Sequence, residues 1–315
     1  MEDPAEVTLG RREAVVAGAG LVLALAARPA AARTEDAADS RTQDAASSRT
    51  EDAPSDRTEE SSVRAEESSD RGGKHSHRRT LFIAGDSTAA QKYADAAPET
   101  GWGMALPFFL HRELAVANHA VNGRSTKSFL DEGRLEPIAA ALRPGDVLLV
   151  QFGHNDSKTT DPTRYTDPWG TYQDNLRVFV ETARARGARP VIATSVERRR
   201  FDAAGTAQRS LGDYPAAARE AAAASGVPLL DIEALSLALW QRLGPEATKT
   251  YFNWTATEQD NTHFNPPGAI KVAGLVAREL LRTRVLAPRE TRRLDDSIPV
   301  DRITWPAAPA APSAS

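Results

Sequence analysis

A chain of 315 residues, 41% of them hydrophobic, holds enough apolar material for one good core and allows one or two domains. The net charge of −4 excludes the broadly basic footprint of a nucleic-acid-binding protein. Cysteine is absent, which excludes disulfides, thiolate metal sites and a cysteine nucleophile, but not secretion, because a domain of this size is stable without covalent staples.

The N-terminus has the layout of an export signal. Arg11 and Arg12 precede an apolar run over 14–27, and Pro29 with Ala30, Ala31 and Ala32 follows, as at a signal-peptidase site. The run is shorter than the roughly 20 residues needed to span a membrane. Paired arginines after Thr8, Leu9 and Gly10 resemble a twin-arginine signal. Glu13 departs from that pattern, and a general secretory signal remains open. Residues 1–32 therefore read as a signal peptide and the protein as secreted, with no membrane contact after cleavage. From 33 to 79 the chain is low-complexity: the pentad Arg-Thr-Glu-Asp-Ala at Arg33 recurs with small changes at Arg41, Arg49 and Arg57. So polar a stretch cannot bury enough surface to offset its ordering entropy and reads as a disordered spacer. His75 and His77 among basic neighbours suit a metal or polyanion, but a solvated tail is the simpler account.

Regular elements begin at Thr80. Residues 81–88 read Leu-Phe-Ile-Ala-Gly-Asp-Ser-Thr, an apolar run without alternation that ends in a sharp exit, as expected of a strand buried on both faces. A helix is predicted near 104–112, a second strand at 114–118, and a helical stretch ending near Leu142. The clearest strand, 146–152, ends in Gly153-His154-Asn155-Asp156. A helix at 173–186, a strand at 190–196, a helix near 213–224, a strand at 227–232 and a helix near 234–243 follow. The last helix starts after Asn265, Pro266 and Pro267 and runs to Arg282. Strands alternating with helices define an α/β fold, a three-layer doubly wound parallel sheet of about five strands spanning 80–288. Residues 289–315, rich in proline, alanine and charge, read as a disordered tail.

The chemistry collects at strand ends. Ser87 follows the first strand, Gly123 the second and Asn155 the third, and in a parallel sheet these ends share one rim. Ser87 is a nucleophile if a base reaches it, and a helix cap if none does. Gly123 lets its N–H approach a ligand, and the Asn155 amide can donate to an oxyanion. The base is supplied late by Asp260-Asn261-Thr262-His263, in which Asp260 can fix the tautomer of His263. Rival patterns fit less well. Ala89 stands where an α/β-hydrolase elbow needs glycine, His111, His119 and His154 lack metal-ligand spacing, and no dinucleotide glycine fingerprint follows the first strand.

These residues resemble the four blocks of the SGNH (GDSL-like) hydrolases. They are Gly85-Asp86-Ser87, Gly123, Gly153-x-Asn155-Asp156 and Asp260-x-x-His263. The stretches Gly101-Trp102-Gly103, Asn122-Gly123-Arg124-Ser125 and Gln151-Phe152-Gly153-His154 resemble the rhamnogalacturonan acetylesterase branch. The resemblance implies a flavodoxin-like sheet, no metal or other cofactor, a Ser87-His263-Asp260 triad, an oxyanion hole of Ser87, Gly123 and Asn155, and deacetylation of a pectic polysaccharide. A monomer is expected. Arg198 and Arg200 after the fourth strand suit galacturonate carboxylates, and Trp169 offers a flat face to a sugar ring, although a solvated loop and loop packing explain them equally. A general acyl esterase or lipase and a non-catalytic glycan-binding module are the alternatives.

Overall fold

The computed structural model of the protein describes residues 78–309. The export signal at 1–32, the spacer up to residue 77 and residues 310–315 of the tail lie outside the described residues. The central strand β1 (Thr80–Gly85) is buried throughout after Thr80. It pairs in parallel with β2 (Ala115–Asn118) on one side and β3 (Val147–Gln151) on the other. β4 (Arg189–Ala193) and the two-residue β5 (Leu229–Leu230) complete a parallel sheet of order β2-β1-β3-β4-β5. This is the doubly wound architecture expected from the strand–helix alternation.

The continuous apolar runs follow from covering both faces of the sheet. In chain order the helices are α1 (Trp102–Ala105), α2 (Thr126–Asp131), α3 (Leu135–Ala141), α4 (Thr171–Ala185), α5 (Tyr214–Ser225), α6 (Ile232–Thr248) and α7 (Pro266–Arg282). Leu81 and Ile83 of β1 enter a core shared with α1, α6 and α7, while Phe82 and Ala84 enter one shared with α2, α3, α4 and α5. Each such Leu, Ile or Phe contributes about 1.5–3 kcal/mol relative to exposure. Polar residues just past the strand ends are thus carried on a rim whose base is packed from two sides.

Four departures from the sequence reading have local causes. The helix predicted at 104–112 is the short α1, followed by a 3-10 turn over Leu106–Phe109, because Pro107 removes a backbone donor. A hairpin of β6 (Phe252–Trp254) and β7 (Gln259–Phe264) was not predicted, since Gln-Asp-Asn-Thr-His carries no apolar alternation. The predicted disordered tail at 289–315 is packed through its described part. Ile298 and Ile303 are buried in the first core, and the Trp305 indole donates to the Glu99 carbonyl at 2.8 Å. Three apolar anchors outweigh the proline- and alanine-rich composition around them. The spacer also ends earlier than residue 79, because Arg79 reaches Gly145 O and Glu290 Oε1, each at 2.6 Å.

Candidate active site

Ser87 leaves the sheet directly after β1, on a turn made by its neighbour. Asp86 Oδ1 accepts from the Thr88 N–H at 2.9 Å and the Thr88 hydroxyl at 2.7 Å, and the Asp86 carbonyl accepts from Ala89 and Ala90. No α-helix begins until Trp102, so the helix-cap alternative for Ser87 has nothing to cap. The Ser87 side chain, 9% exposed, places Oγ 2.8 Å from His263 Nε2.

His263 and Asp260 lie in an irregular part of the hairpin. Phe252 pairs with Phe264 and Trp254 with Gln259, so five steps along β7 oppose two along β6. The surplus is a bulge, the device by which a strand re-aims side chains beside a site. Within it Asp260 Oδ1 accepts from the N–H groups of Thr262 and His263 at 2.6 and 3.0 Å, and Oδ2 accepts from His263 Nδ1 at 2.6 Å. Because a carboxylate only accepts, Nδ1 carries the proton and Nε2 offers its lone pair to the Ser87 hydroxyl. Phe252 packs between Trp240 and Phe264, and Asn265 both caps α7 and donates to the carbonyls of Thr250 and Phe252. The hairpin is therefore anchored on both sides of the bulge.

Burial by itself would push the His263 imidazole down, but the Asp260 hydrogen bond and the Glu99 charge outweigh it and hold it above its ordinary value. Burial would push Asp260 up, yet the His263 hydrogen bond and the Thr262 N–H keep it below the usual carboxylate range. The pair is thus an ionised carboxylate beside a basic imidazole.

Gly123, after β2, has φ +76°, a conformation that favours glycine. Among the described residues its N–H and that of Ser87 find no acceptor. Asn155, after β3, is 4% exposed and gives one amide hydrogen to the Arg124 carbonyl at 3.1 Å, leaving the second for another acceptor. Asp156 fixes these two loops together: Oδ1 accepts from the N–H and hydroxyl of Thr126 at 3.0 and 2.6 Å and from the Thr166 hydroxyl at 3.1 Å. His154 gives its Nδ1–H to Asp86 Oδ2 at 3.2 Å, joining the ends of β1 and β3.

Ser87, Gly123, Asn155 and His263 meet at a cavity of about 380 Å³, also lined by Glu99, Asn122, His154, Lys158, Arg198 and Thr262. No aliphatic side chain is in that lining. A hollow of about 450 Å³ between α7 and the C-terminal segment brings together no serine–histidine pair. Of the predicted substrate contacts only Arg198 reaches the cavity. Its guanidinium makes only long contacts of 3.4–3.5 Å to Ser210 and the His154 carbonyl. Arg200 is exposed and outside the cavity, and Arg199 is engaged by Asn261 and the Trp254 ring. Trp169, 48% exposed, reaches Asp213 instead of the cavity. Sequence reasoning missed Glu99, Asn122 and Thr262 as lining residues, although each adjoins a motif already singled out.

A serine, histidine and aspartate in hydrogen-bonded series, beside bare backbone donors on the rim of a flavodoxin-like sheet, is a geometry suited to acyl transfer. Residues 83–269 match the GDSL-like lipase/acylhydrolase family, and the chain belongs to it. It is 43% identical over 206 residues to the rhamnogalacturonan acetylesterase RhgT of Bacillus subtilis strain 168, covering 62% of this chain and 87% of that one. It is 39% identical over 198 residues to the probable rhamnogalacturonan acetylesterase YesY of the same organism, covering 63% and 90%. The crystal structure of the Bacillus subtilis protein YxiM superposes with a TM-score of 0.60 at 28% identity, over 66% of this chain and 57% of that one. The protein is thus a carboxylic-ester hydrolase, an acetylesterase of the SGNH type that its motifs resemble.

Proposed function

We propose that this acetylesterase works by a Ser87-His263-Asp260 acyl-enzyme mechanism on an acetylated plant cell-wall polysaccharide, rhamnogalacturonan by the names of its relatives. The observation that carries the reading is the series Ser87 Oγ, His263 Nε2, His263 Nδ1, Asp260 Oδ2, at 2.8 and 2.6 Å, beside two unpaired N–H groups. Ser87 Oγ attacks the acetyl carbonyl while its proton passes to His263 Nε2. The N–H groups of Ser87 and Gly123 and the free Asn155 amide hydrogen take the developing oxyanion. Collapse of the tetrahedral intermediate breaks the bond to the sugar oxygen, which leaves with the proton from His263. Water, deprotonated by the same Nε2, then releases acetate and restores Ser87.

The wholly polar lining favours a short acyl group over a fatty one. Arg198 and Lys158 line the cavity and form no ion pair within 4 Å with a carboxylate among the described residues, which suits a sugar that carries one. The polymeric substrate and the signal layout at 1–32 together support action outside the cell. The test is acetate release from acetylated rhamnogalacturonan, acetylated xylan and a long-chain aryl ester, by the parent and by Ser87→Ala. The reading requires the first substrate to be preferred and Ser87→Ala to be folded and inactive. Retained turnover in a folded Ser87→Ala protein overturns the mechanism, and preference for the long-chain ester overturns the substrate.

A further inference from the structure

Lys92 is 1% exposed, an extreme for a lysine. Its Nζ lies 2.5 Å from Glu99 Oε1 and donates to Asn122 Oδ1 at 2.6 Å. Both partners line the cavity that holds Ser87 and His263. Removing an ammonium from water is costly, and an apolar side chain of similar volume would fill the same space without that cost. What an apolar residue cannot do is hold a carboxylate and an amide at fixed places in a cavity wall.

We propose that Lys92 and Glu99 are positioning residues of the esterase: an ion pair with a buried ammonium and a partly exposed carboxylate, which fixes the Asn122–Gly123 turn beneath the oxyanion and tempers the charge that Glu99 sets beside His263. The inference rests on the acyl-transfer reading of the site. Three segments meet at the one ammonium. The first is the chain after β1 that bears Lys92 itself. The second is the end of β2, where Asn122 immediately precedes Gly123 with its positive φ and unpaired N–H. The third is the segment of Glu99, tied to the catalytic hairpin by the Thr100 N–H on the Phe264 carbonyl at 2.7 Å and to the C-terminal segment through Trp305. Phe264 adjoins His263, so one network sets the base and one wall of the oxyanion site together.

The titratable groups around His263 are Asp260 on its own strand, Glu99 and Lys92 from the chain between β1 and α1, and the neutral His154 after β3. Glu99 favours the imidazolium and Lys92 opposes it more weakly, so the ammonium offsets part of the carboxylate's effect. A carboxylate in the cavity wall without Lys92 would trap His263 in its protonated, inactive form over a wider pH range.

The test is the pH dependence of kcat/KM of the full chain on a short aryl acetate, with the His263 ring titration followed by NMR. Glu99→Gln keeps an oxygen for Lys92 and removes only the charge, and is expected to move the acid limb and the ring titration down by roughly half a pH unit or more. The double variant K92M/E99Q is expected to recover part of that shift, because it also removes the weaker opposing charge of Lys92. In it Asn122 loses its anchor, so plateau kcat falls about tenfold with KM within about threefold. An unmoved titration in Glu99→Gln, or a double variant that recovers none of the shift or keeps full plateau kcat, overturns the inference. If the double variant does not fold, the isosteric Glu99→Gln carries the test alone. Activity that survives Ser87→Ala overturns the mechanistic reading instead, and the ring titration still reports on this one.

Discussion

Two histidines in this molecule face an aspartate through Nδ1, and their surroundings give them opposite characters. His263 meets Asp260 at 2.6 Å with about a quarter of each side chain exposed, while His154 meets Asp86 at 3.2 Å with both almost wholly buried. His263 is held above the ordinary histidine value, whereas burial drives His154 below it despite Asp86. His154 therefore stays neutral, a donor that braces the turn before Ser87, and its Nε2 has no protein partner. His263 has the Ser87 hydroxyl as its Nε2 partner. The same pair of residue types makes a base where the carboxylate outweighs burial and a brace where burial outweighs the carboxylate. Asp156 shows a third outcome. With only backbone and hydroxyl donors for company, its carboxyl is pushed up by burial to about 7.

The sharpest way to break the comparison is to remove each histidine. His263→Ala is expected to lower kcat by about 10,000-fold or more in a folded protein, as loss of a triad base does. In the parent, kcat/KM should fall as pH drops through the raised His263 value, because only the neutral ring accepts the serine proton. An acid limb below the ordinary 6.5 would contradict the direction assigned here. Next in size is Asn155→Ala, beside His154 in the chain but aimed at the oxyanion, with a loss of about 100- to 1,000-fold in kcat and little change in KM. His154→Ala should instead cost about 1–3 kcal/mol of stability, read by denaturant unfolding, with turnover per folded molecule reduced about tenfold or less. A loss equal to that of His263→Ala would erase the distinction between the two pairs.

The smallest effect on turnover is expected from Asp156→Asn, which isolates the carboxylate that lacks a histidine. An acid whose folded pKa is raised from 3.8 to about 7 contributes stability that is fully present below 3.8 and lost as pH rises through 7. The variant cannot ionise, so its melting temperature should exceed the parent's at pH 8 and approach it below pH 4. The difference is bounded by about 4 kcal/mol. A melting temperature equal to the parent's at both pH values would show that Asp156 does not titrate as assigned.

That Ser87, Gly123, Asn155 and the Asp260–His263 pair come together was legible because each placement depends on a rule local to the chain. A polar residue at the end of a buried parallel strand falls on the common rim, and an Asp three residues before a His can reach it. His154 read as a structural neighbour of Asn155, and its contact with Asp86 agrees with that. The hairpin was not legible, because its pairing is interrupted by the bulge that aims the base, and a bulge leaves no period in the sequence. Lys92 was illegible for a similar reason, since its burial depends on the paths of three loops. The C-terminal segment was misread because composition averages over a stretch in which Ile298, Ile303 and Trp305 carry the packing.

That segment gives the enzyme a direction in time. Ser87 is made 176 residues before the histidine it needs, and Glu99 is made 206 residues before the indole that holds its carbonyl. The Ala94 N–H, two residues after Lys92, is likewise held by the carbonyl of Pro306. A growing chain therefore carries its nucleophile for most of synthesis without a base, and gains the base before the strap behind Lys92 and Glu99 is in place. A chain cut at 288 would hold Ser87, His263 and Asp260 while lacking the contacts of Trp305 and Pro306 with the segment of Lys92 and Glu99.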